Sequence, residues 1–595
     1  MPVSNVAIVV RFCLAFCLAF VLLVPGSIAL SATEKAVLEY KLVGLKGSLR
    51  DNALAWLGEA PTSPQGRLNF LVTAEQRVED SLKALGFYEP EVSIALERTD
   101  PVWSMQITVE PGEPVLIRMI DIEVEGDAAQ DPEFQQLLDT APFREGDVFS
   151  HGDYDKFRNR LLSLGQRRGY LDAQFSVHRV DVNVIGKTAD ISLQYNSGVR
   201  YRFGEVQYGE SRVQASLLEE IQPFSEGDFF DQAKLQTLQL HLQSTNYFSG
   251  VLIQPRFDQA KDYKVPISVT LHPAKRHSFN VGFGYSTDTQ ERISTVWRTP
   301  VLNRYGHSQE TRIAYSEVNP SGRFTYTIPM SHPLNDVLHL SALVEDNEYG
   351  DTESRQTEYA VLREMRRSGW VQSYSGRLLD ESWEVKNIKF NNSYTLPGLA
   401  FSRSDRSGSV VDPAGGFSQF YKLEAGSEQL GSDVDLARLT ANFRYVLTPA
   451  PEHRVVTRLA LGVVFISDSD RPNLAPSLRF FAGGSQSIRG YAYQSVGNEI
   501  TVTRDNGEPQ KLVIGGERLV TGTLEYQYYF TPSWRGAVFI DAGDAFDEDD
   551  MDLKFGPGFG VHYMSPVGAV RLELANGVSE NSGGWRVHVN IGAEF

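Results

Sequence analysis

The chain has 595 residues, 56 Lys+Arg against 75 Asp+Glu and a net charge of −19, a balance that excludes a basic face for nucleic-acid phosphates. That length is too great for one hydrophobic core, so several domains are expected. Aromatic residues at 11% and 50 glycines supply many strand formers and much strand punctuation.

At the N-terminus Arg11 precedes an apolar run over residues 12–24, and Pro25-Gly26-Ser27-Ile28-Ala29 follows with small residues where a signal peptidase reads. Cleavage after Ala29 is expected, because about 13 apolar residues fall short of the roughly 20 that span a bilayer as a helix. Cys13 and Cys17 are the only cysteines, so the mature chain would hold no disulfide, thiolate metal site or cysteine nucleophile. Beyond the leader no stretch is long and apolar enough for a membrane helix, which leaves a soluble exported protein or one that spans as strands.

Residues 30–274 repeat at the scale of a small domain. One helix is predicted from Thr73, with Gln76 completing a capping box and Val78, Leu82 and Leu85 on one face, ending at Gly86. A second runs from about Asp153, burying Phe157, Leu161 and Leu164, to Gly169; a third follows Asp231, burying Leu235, Leu238 and Leu242, to Asn246. Those stop residues tolerate the left-handed conformation and recur at spacings of 83 and 77 residues. Two alternating runs follow each stop, at 91–97 with 104–109, 174–182 with 188–195, and 251–257 with 264–271. Opening strands at 116–124 and 201–208 and short helices at 133–138 and 216–221 complete the unit. Pro142-Phe143-Arg144-Glu145-Gly146-Asp147 recurs as Pro223-Phe224-Ser225-Glu226-Gly227-Asp228. The order strand, helix, helix, strand, strand resembles the POTRA module, whose sheet edge accepts a client strand. This divides the chain into a signal peptide at 1–29 and modules at 30–113, 114–199 and 200–274.

From 275 to 595 period-two alternation takes over. Phe279, Val281, Phe283 and Tyr285 face one side and Ser278, Asn280, Gly282 and Gly284 the other; Trp585, Val587, Val589, Ile591, Ala593 and Phe595 alternate with Arg586, His588, Asn590, Gly592 and Glu594. Strands of about nine to eleven residues, with lipid outside and a wet lumen inside, make a transmembrane β-barrel. About 320 residues at roughly 20 per strand and connection give about 16 antiparallel strands. Tight turns at 530–534 and 565–568 against longer polar loops at 544–552 and 575–584 fit the unequal ends of such a barrel.

Within it lies Gly483-Gly484-Ser485-Gln486-Ser487-Ile488-Arg489-Gly490-Tyr491. If this loop folds into the lumen, Arg489 needs carboxylates on the wall, since an unpaired buried charge costs several kcal/mol. Parity places Glu525 and Asp541 on the inner face, opposite Leu524, Tyr526, Val538 and Ile540. Ile488-Arg489-Gly490-Tyr491, Glu525 and Asp541 in their Leu-Glu-Tyr and Phe-x-Asp-x-Gly contexts, Ser565-Pro566-Val567-Gly568 and the terminal Phe595 together resemble the Omp85 superfamily. Three modules, rather than the larger number of BamA-type proteins, resemble its TamA branch. His562 stands where related sequences often carry arginine.

The resemblance implies an outer-membrane translocation and assembly factor of a Gram-negative bacterium. Its partners would be unfolded barrel and autotransporter-type clients, membrane lipid and a TamB-like inner-membrane-anchored protein. A seam between the first and last strands, at Phe279, Val281, Gly282, Gly284, Val589, Ile591, Gly592 and Phe595, would offer paired edges to client strands. A two-partner-secretion-type transporter or a BamA-like insertase is the alternative. No His-Glu-x-x-His, phosphate loop or Gly-x-Ser-x-Gly is present, so neither enzyme activity nor a cofactor is expected. The acidic run 547–550 reads as a solvated loop.

Overall fold

The computed structural model describes residues 37–100, 102–385, 388–409, 412–503, 508–548, 550–565, 568–579 and 584–592. The leader with Cys13, Cys17 and Ala29, the turn residues Pro566 and Val567, and Ala593, Glu594 and Phe595 lie outside them. The chain divides after Tyr201 into two compact units.

In the first unit, β1 (Leu38–Val43), α1 (Gly47–Leu57), α2 (Pro64–Lys83), β2 (Glu91–Glu97) and β3 (Trp103–Glu110) form one module. Next come β4 (Leu116–Glu125), α3 (Pro132–Asp139), α4 (His151–Arg168), β5 (Gln174–Asn183) and β6 (Thr188–Asn196). Each sheet has its last strand in the middle, parallel to the opening strand and antiparallel to the other, in the orders β1-β3-β2 and β4-β6-β5. The helices cover one sheet face; Phe134, Phe157, Leu161, Ile191 and Leu193 are among the buried residues of the second core.

α2 begins nine residues before the predicted start at Thr73. The cap is Ser63, whose hydroxyl accepts from Gly66 N at 3.1 Å, with Pro64 at the first helical position. Thr73 sits inside the helix and its hydroxyl donates back to Asn69 O at 2.9 Å. Gly86, at φ 90°, lets the modules approach: a Cβ there would stand 2.4 Å from Phe149 O.

The second unit opens with the third module: β7 (Arg202–Tyr208), α5 (Ala215–Ile221), α6 (Gln232–Ser244), β8 (Phe248–Pro255) and β9 (Lys264–Pro273), in the order β7-β9-β8. The repeated Pro-Phe-x-Glu-Gly-Asp segment has one physical job in both copies. Asp147 and Asp228 accept from the backbone N–H three residues earlier, Gly146 and Gly227 take positive φ, and each turn pairs with the opening strand through Ile117 or Phe203. The phenylalanine then enters the core, Phe143 against Phe157 and Phe224 stacked on Phe203.

The barrel follows: β10 (Ser278–Ser286), β11 (Gln290–Thr299), β12 (Ser308–Tyr315), β13 (Ser321–His332), β14 (Asp336–Tyr349), β15 (Thr352–Arg367), β16 (Trp370–Val385), β17 (Ile388–Gly408) and β18 (Pro413–Gly426). It continues through β19 (Leu436–Ala450) and β20 (His453–Ile466). A small hairpin, β21 (Glu499–Thr503) and β22 (Pro509–Val513), lies in the next connection. The wall closes through β23 (Arg518–Thr531), β24 (Trp534–Phe546), β25 (Lys554–Ser565), β26 (Gly568–Asn576) and β27 (Trp585–Gly592). Leaving out β21 and β22, these sixteen strands form one closed antiparallel barrel. Strand length departs from the predicted nine to eleven. β10, β11 and β12 span 8 to 10 residues, whereas β14 to β17 span 14 to 21, so the barrel wall is short over its first strands.

Large apolar side chains point outward, with Phe283 77%, Phe279 66% and Phe530 64% exposed, a surface that only lipid satisfies. The third module marks the sides. Tyr247 OH donates to Gly306 O at 3.0 Å and Gln214 N to Arg304 O at 2.9 Å, so the turn between β11 and β12 lies at the module end. Alternation of turns then puts the connection at residues 467–517 at the opposite, outer end.

Candidate functional site: an arginine clamped inside the barrel

The 467–517 connection folds inward and builds an apolar plug at the outer end. Leu474, Leu478, Phe480, Ile488 and Tyr491 pack with Leu379, Trp383, Tyr394 and Leu396 of the wall. Gly483 makes the fold-back possible: at φ 99°, a Cβ there would lie 2.2 Å from Ala492 O.

Arg489 sits beneath this plug with its side chain 2% exposed. Its Nε and Nη2 donate to Asp541 Oδ2 and Oδ1 at 2.7 and 2.9 Å, a two-pronged contact, and its backbone N–H donates to Asp541 Oδ2 at 3.0 Å. Nη1 donates to Glu525 Oε2 at 2.7 Å and to Glu573 Oε1 at 2.9 Å. The guanidinium carbon lies 3.2 Å from the ring centroid of Phe539, where the π-face adds attraction. The backbone carbonyl accepts from His588 Nε2 at 2.5 Å. Burial of so many charges costs several kcal/mol per ion, and only this dense bonding offsets it.

The register explains the convergence. Glu525 and Asp541 face inward on β23 and β24, and Glu573 on β26 pairs with His588 on β27. Sequence parity pointed to two acids; Glu573, in Leu572-Glu573-Leu574, is a third, and His588 a further partner. Each remaining residue of the motif has its own contact. Ile488 is fully buried in the plug, and the Tyr491 hydroxyl donates to Ser579 Oγ at 3.0 Å. At Gly490 a Cβ would meet Gly577 N at 2.6 Å, so only glycine lets the two outer loops touch. His562 is buried, with Nε2 3.0 Å from Glu573 Oε1. Ligand atoms of Glu525, His562 and Glu573 lie within 4.8 Å of one another, a spacing suited to a cation, and Arg489 Nη1 already bonds both carboxylates.

The seam lies beside the clamp. Among the described residues, which end at Gly592, β10 and β27 pair at Tyr285 with Ile591 and at Ser286 with Asn590. Thr287 N donates to Val589 O at 3.1 Å. Phe279 and Val281 point outward, on the face opposite that of Gly282 and Gly284, and Gly592 pairs with Ala569 on β26. Phe595 lies outside the described residues. Asp288, in the turn after β10, accepts from Ser485 N at 2.7 Å and lies 3.6 Å from His588 Nδ1, so one carboxylate touches the plug and the last strand. A cavity of about 220 Å³ separates clamp and seam, lined by Gly284, Ser286, Asn590, Arg489 and Glu525 among others.

A lipid-facing sixteen-strand barrel, plugged by an inward loop and preceded by POTRA-like modules, defines an outer-membrane protein with periplasmic N-terminal modules. The chain belongs to the Omp85 superfamily: the model of the Omp85 superfamily domain matches residues 254–595, and that of POTRA domain TamA domain 1 matches 39–111. The outer membrane protein assembly factor BamA of Nitratidesulfovibrio vulgaris is 25% identical over 396 residues, 63% of this chain and 48% of that protein. The chain thus spans about half the length of that relative. BamA from Haemophilus ducreyi lacking POTRA domains 1–3 shares the fold, at 16% identity and a TM-score of 0.66 over 80% of this chain and 99% of that one. CdiB from Acinetobacter baumannii aligns at 13% identity over 92% and 99% of the two chains, with a TM-score of 0.46.

Proposed function

We propose that the chain assembles outer-membrane β-barrel clients by letting their strands pair at the seam between β10 and β27. The observation that carries this reading is the closure itself: β10 meets β27 as the two ends of the barrel chain, and Asp288 after β10 links that closure to the outer loop and to His588 on the last strand. The other neighbouring strands of the barrel follow one another in chain order, whereas β10 and β27 are its first and last and are joined by strand pairing, at Tyr285 with Ile591 and Ser286 with Asn590 among the described residues. An unpaired amide in hydrocarbon costs several kcal/mol, so an extended client entering beside β10 gains backbone bonds that lipid cannot offer. Short strands β10 to β12 beside the seam add to this, since a hydrophobic span below the bilayer thickness thins the lipid locally. The plug and clamp occupy the outer end of the lumen, which supports lateral pairing over passive conduction.

The finer reading includes a cleaved leader at 1–29, modules at 30–113, 114–199 and 200–274, a barrel from 275 to 595 and no bond-making chemistry. A TamB-like partner would dock on the first module, a reading that the TamA-type match at 39–111 supports. A photo-reactive side chain at Val281 tests the seam: it should capture a barrel client during assembly, while the same group at the lipid-facing Leu423 on β18, on the far wall, should not. Equal capture at both positions contradicts the proposal. Co-purification with an inner-membrane partner should be lost when residues 30–113 are deleted, and retention would remove the first module from that role.

A further inference from the structure

We propose that Asp412, Arg535 and His562 are positioning residues for Arg489, so that a turn at the module end of the barrel sets how firmly the outer loop is held. Arg454 on β20 and Arg535 on β24 are among the largest fully buried side chains of the described residues, 1% and 0% exposed. Both take the same carboxylate: Asp412 Oδ1 lies 3.0 Å from Arg454 Nη1 and accepts from Arg535 Nη1 at 2.8 Å. Asp412 belongs to the turn between β17 and β18, several strands away around the wall. Tyr529 OH donates to Asp412 Oδ2 at 2.7 Å and accepts from Arg535 Nη1 at 2.9 Å, which fixes the crossing.

Two limbs rise from this floor. In one, Arg535 Nε donates to His562 Nδ1 at 3.2 Å. A guanidinium N–H can only donate, so Nδ1 is the acceptor and the proton sits on Nε2, which donates to Glu573 Oε1 at 3.0 Å. The same oxygen accepts from Arg489 Nη1. In the other, Arg454 Nη1 donates to Gln527 Oε1 at 2.9 Å, and Gln527 Nε2 to Glu525 Oε1 at 2.5 Å. Glu525 Oε2 accepts from the same Nη1 of Arg489.

The two limbs therefore close a ring at one nitrogen: Asp412, Arg535, His562, Glu573, Arg489, Glu525, Gln527 and Arg454. Buried charge-assisted bonds polarise one another, and loss of one link leaves the next group unsatisfied in a low-dielectric site. Withdrawal of the turn would leave two buried guanidiniums without their shared carboxylate. They would compete for Gln527 and His562 and loosen both acids that hold Nη1.

A thiol reporter tests this independently of client assembly. Ser485 in the outer loop is 6% exposed, and the chain's only cysteines are Cys13 and Cys17. In full-length protein carrying Ser485→Cys, labelling by a membrane-impermeant maleimide from outside should be slow. Asp412→Asn and His562→Phe should each accelerate it roughly tenfold or more. His562→Gln should stay near the parent rate, because an amide supplies one acceptor and one donor in place of the two ring nitrogens. With Arg489→Ala labelling is already fast, and Asp412→Asn should add less than about twofold, the non-additivity of a shared network. Where Asp412→Asn does not fold, Tyr529→Phe, which removes one hydroxyl, should give an intermediate rate. The proposal is overturned if Asp412→Asn, or Tyr529→Phe in its place, labels at the parent rate in a folded barrel. It also fails if His562→Gln matches His562→Phe, or if Asp412→Asn acts equally with and without Arg489.

Discussion

Arg489 is one cation among three carboxylates, and their hydrogen bonds rank them. Asp541 accepts from Nε, Nη2 and the backbone N–H and is fully buried, whereas Glu525 and Glu573 each accept once from Nη1. Asp541→Asn should therefore release the outer loop most, at a cost of about 3–5 kcal/mol, the range for breaking a buried ion pair. Arg489→Lys should release it nearly as far, since an ammonium cannot span Asp541 and Glu525 at once. Limited proteolysis of residues 467–517 from the outer face reads both, and parent-like resistance in Asp541→Asn would contradict the ranking. Gly490→Ala should also open the loop, because the added Cβ meets Gly577 backbone. At this scale period-two parity made Glu525 and Asp541 legible beside Arg489. Glu573 was not, because Leu-Glu-Leu reads as any lumenal glutamate until the register of β26 against β27 sets its height.

Among the elements, the helices were legible in their cores and illegible at one end. Thr73 and Gln76 have the spacing of a capping box, yet Ser63-Pro64 provides a cap nine residues earlier and the helix continues through both. Ser63→Ala should destabilise the first module by about 1 kcal/mol and Thr73→Ala by much less, as hydrogen exchange over residues 64–83 would show. The second module carries a pH-dependent support. Burial pushes the Asp131 carboxyl up, but the Glu133 N–H, the Tyr170 hydroxyl and the Arg168 fork outweigh it and hold it below the usual carboxylate range. A depressed folded-state value means that the support is present above the unfolded value of about 4 and is lost as pH falls through the lower folded one. Exchange protection of α4 should thus weaken between about pH 4 and more acid conditions, and Asp131→Asn should flatten that fall.

For the whole molecule, alternation, turn asymmetry and length together made a barrel of about sixteen strands readable, because each property follows from lipid outside and water inside. The long strands β14 to β17 were not readable, since Leu379, Trp383, Tyr394 and Leu396 turn apolar side chains onto the plug and break the polar-inside pattern. Closure was equally hidden: sequence names the first and last strands but not the register that sets Tyr285 opposite Ile591 and Ser286 opposite Asn590. Client assembly at the seam requires that closure to part. Ser286→Cys with Asn590→Cys places two thiols across a paired position, and oxidation should lock the barrel. The locked protein is predicted to stop assembling an added barrel client and to recover on reduction; undiminished assembly with the disulfide formed would contradict the account.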